Sequence, residues 1–170
     1  LWIYKGIEED LYKFLVDPSR SGNKYCLKLS DMEGFHRGFW IDLANAKTTS
    51  EVKQALYRGM YRENKSSFDK SKVTTASVKY DRYNVQRYCG LNLHSYLYRH
   101  TVEWRQHQGT MELEDLLYWP LWCGWVVEVA GNATDKTVEG LGIGLDEFLN
   151  VFGYKIPKEI VQWVKLKMSR

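Results

Sequence analysis

Basic and aromatic side chains alternate through the middle of the sequence, and their types suit the binding of phosphates and bases. Residues 53–107 carry 11 Lys and Arg against 4 Asp and Glu, a net charge of +7. Guanidinium and ammonium groups neutralise phosphates, and flat rings stack on unpaired bases. The sequence therefore predicts a surface for RNA or single-stranded DNA. The predicted contact residues are Arg58, Arg62, Lys79, Arg82, Tyr83, Arg87, Tyr88, His94, Tyr98 and Arg105.

The same basic and aromatic block supports two other interpretations. Tyr, Trp and Arg are enriched at the centres of protein interfaces, so the block also suits a protein-interaction module that binds an acidic partner. A solvated helix face with core tyrosines would have this composition as well. Composition does not separate these alternatives, and it leaves the oligomeric state open.

Three short elements suggest an enzyme instead. Leu56-Tyr57-Arg58-Gly59, Thr74-Thr75-Ala76-Ser77 and Glu112-Leu113-Glu114 follow one another along the chain. Their order resembles the Arg, Ser-Thr-Ser and Glu-x-Glu elements of the ADP-ribosyltransferases. The resemblance implies an NAD-dependent transferase in which Arg58 holds the NAD phosphates, Ser77 orders the site and Glu114 acts on the ribose.

Other candidate chemistry finds little support in the sequence. Cys123 lies between tryptophans, and such an apolar setting raises a thiol pKa. The glycines of Gly140 to Gly144 precede Asp146 and Glu147, whose charges repel a phosphate. No cysteine and histidine spacing matches a zinc site. We therefore predict no metal and no cofactor, and we favour a binding domain over an enzyme.

A long helix is predicted to position the basic side chains. Its apolar positions are spaced by 4, 4, 3, 4 and 4 residues, at Val85, Cys89, Leu93, Tyr96, His100 and Trp104. This is the period of an amphipathic helix, which we predict over residues 82–107. Arg87, His94, Tyr98, Thr101 and Arg105 would then share its polar face.

The remaining elements mix helices and strands. Helices are predicted from Ile7 to Leu15, after the capping box of Thr48 and Glu51, over Leu145 to Phe152, and after Pro157. A short acidic helix is predicted from Thr110 to Tyr118, before Pro120. Strands are predicted over 25–29 and 35–41 as a hairpin, over 73–80, and over 121–130. These elements do not alternate regularly, which favours an α+β fold with a small mixed or antiparallel sheet and several helices in a single domain over residues 1–170.

Length and composition set the remaining limits. The chain has 170 residues, of which 44% are hydrophobic, an ordinary proportion for a globular protein. No apolar run approaches the roughly 20 residues of a membrane-spanning helix, so we expect no membrane association. Three widely spaced cysteines favour a reducing compartment, and we predict a cytoplasmic protein.

Overall fold

The computed structural model describes residues 1–31, 37–60, 87–134 and 144–170. The chain divides into two compact units: the first combines Leu1–Gly22 with Gln106–Arg170, and the second is Asn23–Arg105. The single domain predicted over residues 1–170 stays a prediction. The predicted strand over 73–80 lies outside the described residues.

Seven α-helices and one two-stranded sheet occur in the described residues. The helices are α1 (Trp2–Asp10), α2 (Arg37–Asn45), α3 (Thr49–Met60), α4 (His94–Arg99), α5 (Leu113–Asn132), α6 (Leu145–Phe152) and α7 (Lys158–Met168), and the antiparallel strands are β1 (Leu91–Asn92) and β2 (Glu103–Trp104). The predicted α+β class, with a small antiparallel sheet and several helices, is confirmed.

The first unit is built from α1, α5, α6 and α7. Ile7, Leu11 and Leu15 are buried at a spacing of four residues, as the predicted first helix requires, and the helix begins earlier than predicted, at Trp2. The helix continues from α1 through one π-helical turn, Leu11–Leu15. Helix α6 and the helix after Pro157 also form as predicted.

Helix α5 replaces the strand predicted over residues 121–130, so that prediction is wrong. The apolar run offers no 3.6-residue period because α5 carries apolar residues on both its buried and its exposed sides. The prediction that Pro120 ends a short helix is also wrong, because Pro120 lies inside α5, at an exposed position. Proline lacks an N–H to donate, yet the helix continues through it to Asn132.

The predicted hairpin over residues 25–41 is also wrong. Leu27 forms a parallel bridge with Cys89, and residues from Arg37 onwards form α2. Phe39 and Trp40 are buried next to each other in that helix, with their rings edge to face at 4.9 Å. Two adjacent buried positions fit a strand pattern poorly, and a helix buried on a broad face accommodates them.

The helix predicted over residues 82–107 is interrupted by a β-hairpin. Leu91 pairs with Trp104 and Asn92 pairs with Glu103 across the antiparallel sheet. Helix α4 between the strands is short, and it ends at His100 in the left-handed conformation with φ of 58°. Among the described residues at this spacing, Cys89 and Leu93 are buried while His100 is exposed, so the spacing does not mark one buried face of a helix.

The capping box before α3 is confirmed. The Glu51 backbone N–H donates to Thr48 Oγ1 at 3.2 Å, and Glu51 Oε2 accepts the Thr48 N–H at 2.9 Å. Glu51 also accepts the Lys47 N–H at 2.7 Å. These hydrogen bonds, that from Lys47 first, lower the pKa of Glu51.

Replacing Thr48 with alanine is expected to lower the free energy of unfolding by about 1 kcal/mol, because an N-terminal donor of α3 loses its acceptor. Urea denaturation measures the change, and Thr101→Ala, at an exposed position outside any helix, is the control. A folded pKa below the ordinary value means that ionised Glu51 stabilises the fold above pH 4.5, and that this stabilisation is lost as the pH falls through the folded pKa. Equal changes in the free energy of unfolding for Thr48→Ala and Thr101→Ala would contradict the role of Thr48.

The helices in the described part of the chain are too short or insufficiently apolar to cross a bilayer.

Candidate functional site

The second unit contains a group of buried and partly exposed polar side chains on its β-hairpin. Arg105 N–H donates to the Gly90 carbonyl at 2.7 Å, which extends the pairing of β1 and β2 by one step. On the other edge of β1, Leu27 N–H donates to the Tyr88 carbonyl at 2.9 Å, and Gly90 N–H donates to the Leu27 carbonyl at 2.8 Å. Three chain segments thus hold this part of the backbone in place.

Polar and aromatic side chains on and beside this hairpin contact one another. Successive side chains of a strand point to opposite faces, so alternate residues share one face. Cys89 and Leu91 are buried in the apolar core of the unit. The polar group, called the hairpin cluster below, consists of the side chains of Arg87, Tyr88, Asn92, Glu103 and Arg105 together with the backbone N–H of His94.

Asn92 is the central connection of the hairpin cluster. Its Nδ2 donates to Glu103 Oε2 at 2.7 Å, and its Oδ1 accepts the His94 backbone N–H at 2.9 Å. Asn92 and His94 are each 2% exposed. A buried amide that satisfies both a carboxylate and the first N–H of α4 fixes the orientation of the residues on either side of it.

Glu103 joins Asn92 to Arg105. Its Oε1 lies 2.9 Å from Arg105 Nε, while Oε2 accepts from Asn92. The side chain of Glu103 is 46% exposed and that of Arg105 is 16% exposed. The carboxylate is therefore held in one orientation and still reaches solvent.

Two guanidinium groups lie at the ring of Tyr88. The Cζ atoms of Arg87 and Arg105 are 5.9 and 5.7 Å from its centroid, and Tyr25 contacts the same ring edge to face at 5.1 Å. Aromatic faces attract guanidinium groups and hold them while their N–H groups stay available. Such a pair is suited to hold carboxylate or phosphate oxygens.

The comparison with protein families identifies the kind of protein to which this cluster belongs. A family model described as "Putative amidoligase enzyme" matches residues 5–127, most of the chain. The chain belongs to this amidoligase family. No curated protein and no solved structure matches the chain.

Membership of the amidoligase family corrects the predicted function. The family description points to an enzyme, so the prediction of an RNA-binding or single-stranded-DNA-binding domain without chemistry of its own is wrong. The interaction-module and ADP-ribosyltransferase alternatives are replaced for the same reason. Of the three residues on which the transferase resemblance depended, Glu114 lies exposed in the first turn of α5, while Ser77 and the side chain of Arg58 lie outside the described residues.

The structure brings together some of the sequence-predicted site residues. Arg87, Tyr88, His94 and Arg105 belong to the hairpin cluster. The prediction that these residues lie along one face of a long helix is wrong. Arg58 lies in α3 and Tyr98 in α4. The remaining predicted residues, which lie outside the described part of the chain, are Arg62, Lys79, Arg82 and Tyr83.

Sequence reasoning missed Asn92 and Glu103. Asn92 and His94 alternate with Leu91 and Leu93, which is a strand pattern that the helical assignment concealed. Glu103 is one of few acids in a basic stretch, and that isolation was the available signal. Its partnership with Asn92 depends on the register of β1 with β2.

A second polar cluster, which is largely buried, lies in the first unit, around Asp115 of α5. Lys167 Nζ lies 2.6 Å from Asp115 Oδ1, and Trp163 Nε1 donates to the same oxygen at 3.3 Å. His107 Nε2 is 3.8 Å from Asp115 Oδ2, and its ring packs on Trp119 at 4.9 Å. Lys167 and Trp163 belong to α7, beyond the residues matched by the family. We assign this cluster to the attachment of α7 to α5.

The glycine-rich stretch before α6 does not offer a phosphate site at its described end. Asp10 Oδ2 accepts the Leu145 N–H at 2.7 Å, so a carboxylate already occupies the N-terminus of α6. Gly144 has φ of 121°, and a Cβ there would lie 3.0 Å from Asp10 Oδ2. The residues 140–143 lie outside the described part of the chain.

Thiol and metal chemistry receive no support from the described residues. Cys123 is buried, and burial raises the pKa of its thiol, as its apolar sequence setting predicts. Within residues 1–31, 37–60, 87–134 and 144–170, no group of three or more His, Cys, Asp or Glu side chains is placed to hold a metal ion.

Proposed function

We propose that this chain joins a carboxylate to an amine in an amide bond, with a nucleoside triphosphate as the activating co-reactant. The observation that carries the proposal is the family match over residues 5–127, a range that contains the whole hairpin cluster. The cluster supports it because it combines two guanidinium groups with an oriented, partly exposed carboxylate.

The reaction needs activation because a carboxylate ion is a poor electrophile in water. A carboxylate oxygen attacks the γ-phosphorus, the bond to the β-phosphate oxygen breaks, and the nucleoside diphosphate leaves. The amine nitrogen then attacks the acyl carbon of the acyl phosphate, and the C–O bond breaks with release of phosphate. One amine proton must leave during this step, so a base near the nitrogen accelerates it.

Arg87 and Arg105 are proposed to hold the anionic oxygens of the reactants. Their side chains are positioned before substrate binds, Arg105 by Glu103 and both by the Tyr88 ring. Donors that are fixed in advance stabilise developing charge without reorganising during the reaction. This arrangement favours the binding of a carboxylate or a phosphoryl group.

Glu103 is proposed to orient the amine and to take its proton. Its carboxylate is exposed to solvent, and its two oxygens contact Arg105 and Asn92. Asn92 and the backbone of His94 are positioning groups, since they hold Glu103 and the start of α4 and do not need to touch substrate.

Hydroxylamine trapping tests the proposed activity. Incubation of the chain with ATP, a mixture of the twenty amino acids and an excess of hydroxylamine should yield amino-acid hydroxamates together with orthophosphate, since hydroxylamine replaces the natural amine. Omission of the amino acids or of ATP should abolish both products. Production of neither compound by the complete mixture would overturn the proposal.

A variant at the hairpin cluster is expected to reduce this activity. Glu103→Gln keeps the volume and removes the base, so the hydroxamate rate should fall at least about tenfold, or about 1.4 kcal/mol in the barrier. Glu114→Gln makes the same change at an exposed position in the first turn of α5 and is the control. Equal rates in the two variants would remove Glu103 from the proposed mechanism.

We also propose that the enzyme works in the cytoplasm. Cys26, Cys89 and Cys123 are buried free thiols, and reduced cysteines are typical of that compartment.

A further inference from the structure

Tyr25 lies beside the hairpin cluster and exposes half of its surface. Its ring packs edge to face against Tyr88, with the two centroids 5.1 Å apart and the two planes at 88°. Lys24 Nζ lies 5.0 Å from the centroid of the Tyr25 ring. Tyr25 is nevertheless 50% exposed. An aromatic ring next to the proposed site is therefore accessible to a ligand.

The backbone around Tyr25 is held in a defined turn. The Cys26 N–H donates to the Asn23 carbonyl at 3.0 Å, and the Tyr25 N–H donates to Asn23 Oδ1 at 2.9 Å. An asparagine that accepts from the backbone two residues further on stabilises a turn of this kind. Cys26 is fully buried, and the Leu27 N–H donates to the Tyr88 carbonyl. Both sides of Tyr25 are thus anchored, and its ring is placed before a ligand binds.

The charges around the two rings suit a ligand with several negative charges. The two guanidinium groups of the hairpin cluster lie at the Tyr88 ring, and the Lys24 ammonium lies at the Tyr25 ring. The cluster contributes one carboxylate, that of Glu103. Among the reactants of the proposed reaction, the nucleoside triphosphate is the one that combines a flat ring with several negative charges.

We infer, on the basis of the proposed function, that the ring of Tyr25 stacks on the base of the nucleoside triphosphate. Every base has a π face, so an aromatic side chain stacks on bases without selecting one of them. The Lys24 side chain is exposed and flexible, and its ammonium can leave the Tyr25 ring for a phosphate oxygen as the base arrives. Tyr25 is therefore the residue that distinguishes a nucleotide from a phosphate chain without a base.

Equilibrium dialysis with ATP and with ribose 5-triphosphate measures the contribution of the ring. Ribose 5-triphosphate has the same phosphates and no base, so the parent chain should bind ATP at least about tenfold more tightly. Tyr25→Leu removes the ring and should raise the dissociation constant of ATP at least about tenfold, or about 1.4 kcal/mol. The dissociation constant of ribose 5-triphosphate should not change. Tyr25→Phe keeps the ring and should restore the affinity for ATP.

Tyr154→Leu is the matched control. Tyr154 is 80% exposed, and the Lys155 ammonium lies 5.7 Å from the centroid of its ring, so it shares the exposure and the neighbouring lysine of Tyr25. It contacts neither Tyr88 nor its guanidinium groups, because it belongs to the first unit. This variant should bind ATP as the parent does. Equal weakening by Tyr25→Leu and Tyr154→Leu, or no weakening by Tyr25→Leu, would overturn the inference.

Chemical modification of the parent chain tests the same contact without a substitution. Tetranitromethane nitrates exposed tyrosine rings, and peptide mass spectrometry reports the extent at each position. Saturating ATP should protect Tyr25 from nitration and leave Tyr154 reactive, whereas ribose 5-triphosphate should protect neither ring. Equal nitration of Tyr25 with and without ATP would contradict stacking on this ring.

These measurements separate the role of Tyr25 from the proposed activity. An affinity for ATP that depends on Tyr25, in a chain that forms no hydroxamate, would support the base contact and remove the amide-forming reaction. Hydroxamate formation together with an affinity for ATP that is indifferent to Tyr25→Leu would overturn the base contact and keep the reaction.

Discussion

Replacing Asp115 with alanine is expected to lower the free energy of unfolding by about 3 kcal/mol, as the loss of one partner from a buried ion pair does. Asp115 is 5% exposed and accepts from Lys167 and Trp163. Without the carboxylate, the Lys167 ammonium and the indole N–H of Trp163 lose a common acceptor. Lys167 is 19% exposed, so water recovers part of the loss, and the expected value lies at the low end for such pairs. Urea denaturation followed by tryptophan fluorescence measures the change.

The double substitution Asp115→Leu with Lys167→Leu separates the ion pair from simple packing. Apolar residues of similar volume in place of both charges leave no uncompensated ion, so the double variant should be more stable than Asp115→Ala. Lys158→Leu, at an exposed position in α7, is the matched control for the lysine. A loss below about 1 kcal/mol in Asp115→Ala would show that α7 does not depend on this pair.

Replacing Asn92 with aspartate is expected to reduce the proposed amide-forming activity at least about 100-fold at pH 8, or about 2.7 kcal/mol in the barrier. The substitution exchanges the amide that donates to Glu103 at 2.7 Å for a second carboxylate in a buried place. Two carboxylates at that distance repel each other, so Glu103 would leave the position in which it holds Arg105. The rate of hydroxamate formation measures the effect.

The pH dependence of this variant distinguishes charge repulsion from general damage. A like charge raises the pKa of one member of a carboxylate pair, so a proton shared between the introduced carboxylate and Glu103 should restore part of the contact as the pH falls from 8 to 6. The thermal midpoint of the variant, relative to the parent, should rise over the same range, and this readout does not depend on the reaction. Asn150→Asp, at an exposed position in α6, is the control and should show neither effect. A loss in Asn92→Asp that is constant across pH would contradict the repulsion.

Elements with local signals were predictable from the sequence. The capping box of Thr48 and Glu51 begins α3, and Pro157 precedes α7, because both signals act within a few residues of the helix start. The burial of Ile7, Leu11 and Leu15 in the first helical segment follows from their four-residue spacing. These signals are local, so the partners of each helix do not alter them.

Elements whose signals were ambiguous were assigned wrongly. The stretch after Leu121 reads as a strand because it is short, apolar and partly β-branched, yet it belongs to a 20-residue helix. An apolar helix with two apolar faces shows no period from which a helix could be recognised. The prediction over residues 82–107 failed for the converse reason, since the described residues at helical spacing belong to different elements: Cys89 to an isolated bridge, Tyr96 to α4 and Trp104 to β2.

What the sequence by itself determined about this protein is its α+β class, its locally capped helices and the basic, tyrosine-rich composition around Arg87 and Arg105. Only the tertiary structure decided which of these residues meet. Asn92 and Glu103 are 11 positions apart, and their hydrogen bond exists because β1 and β2 pair in one register. Asp115 and Lys167 are separated by more than 50 residues, and they meet because α7 packs on α5. Long-range pairing depends on the free energy of the whole fold, so no local pattern specifies it.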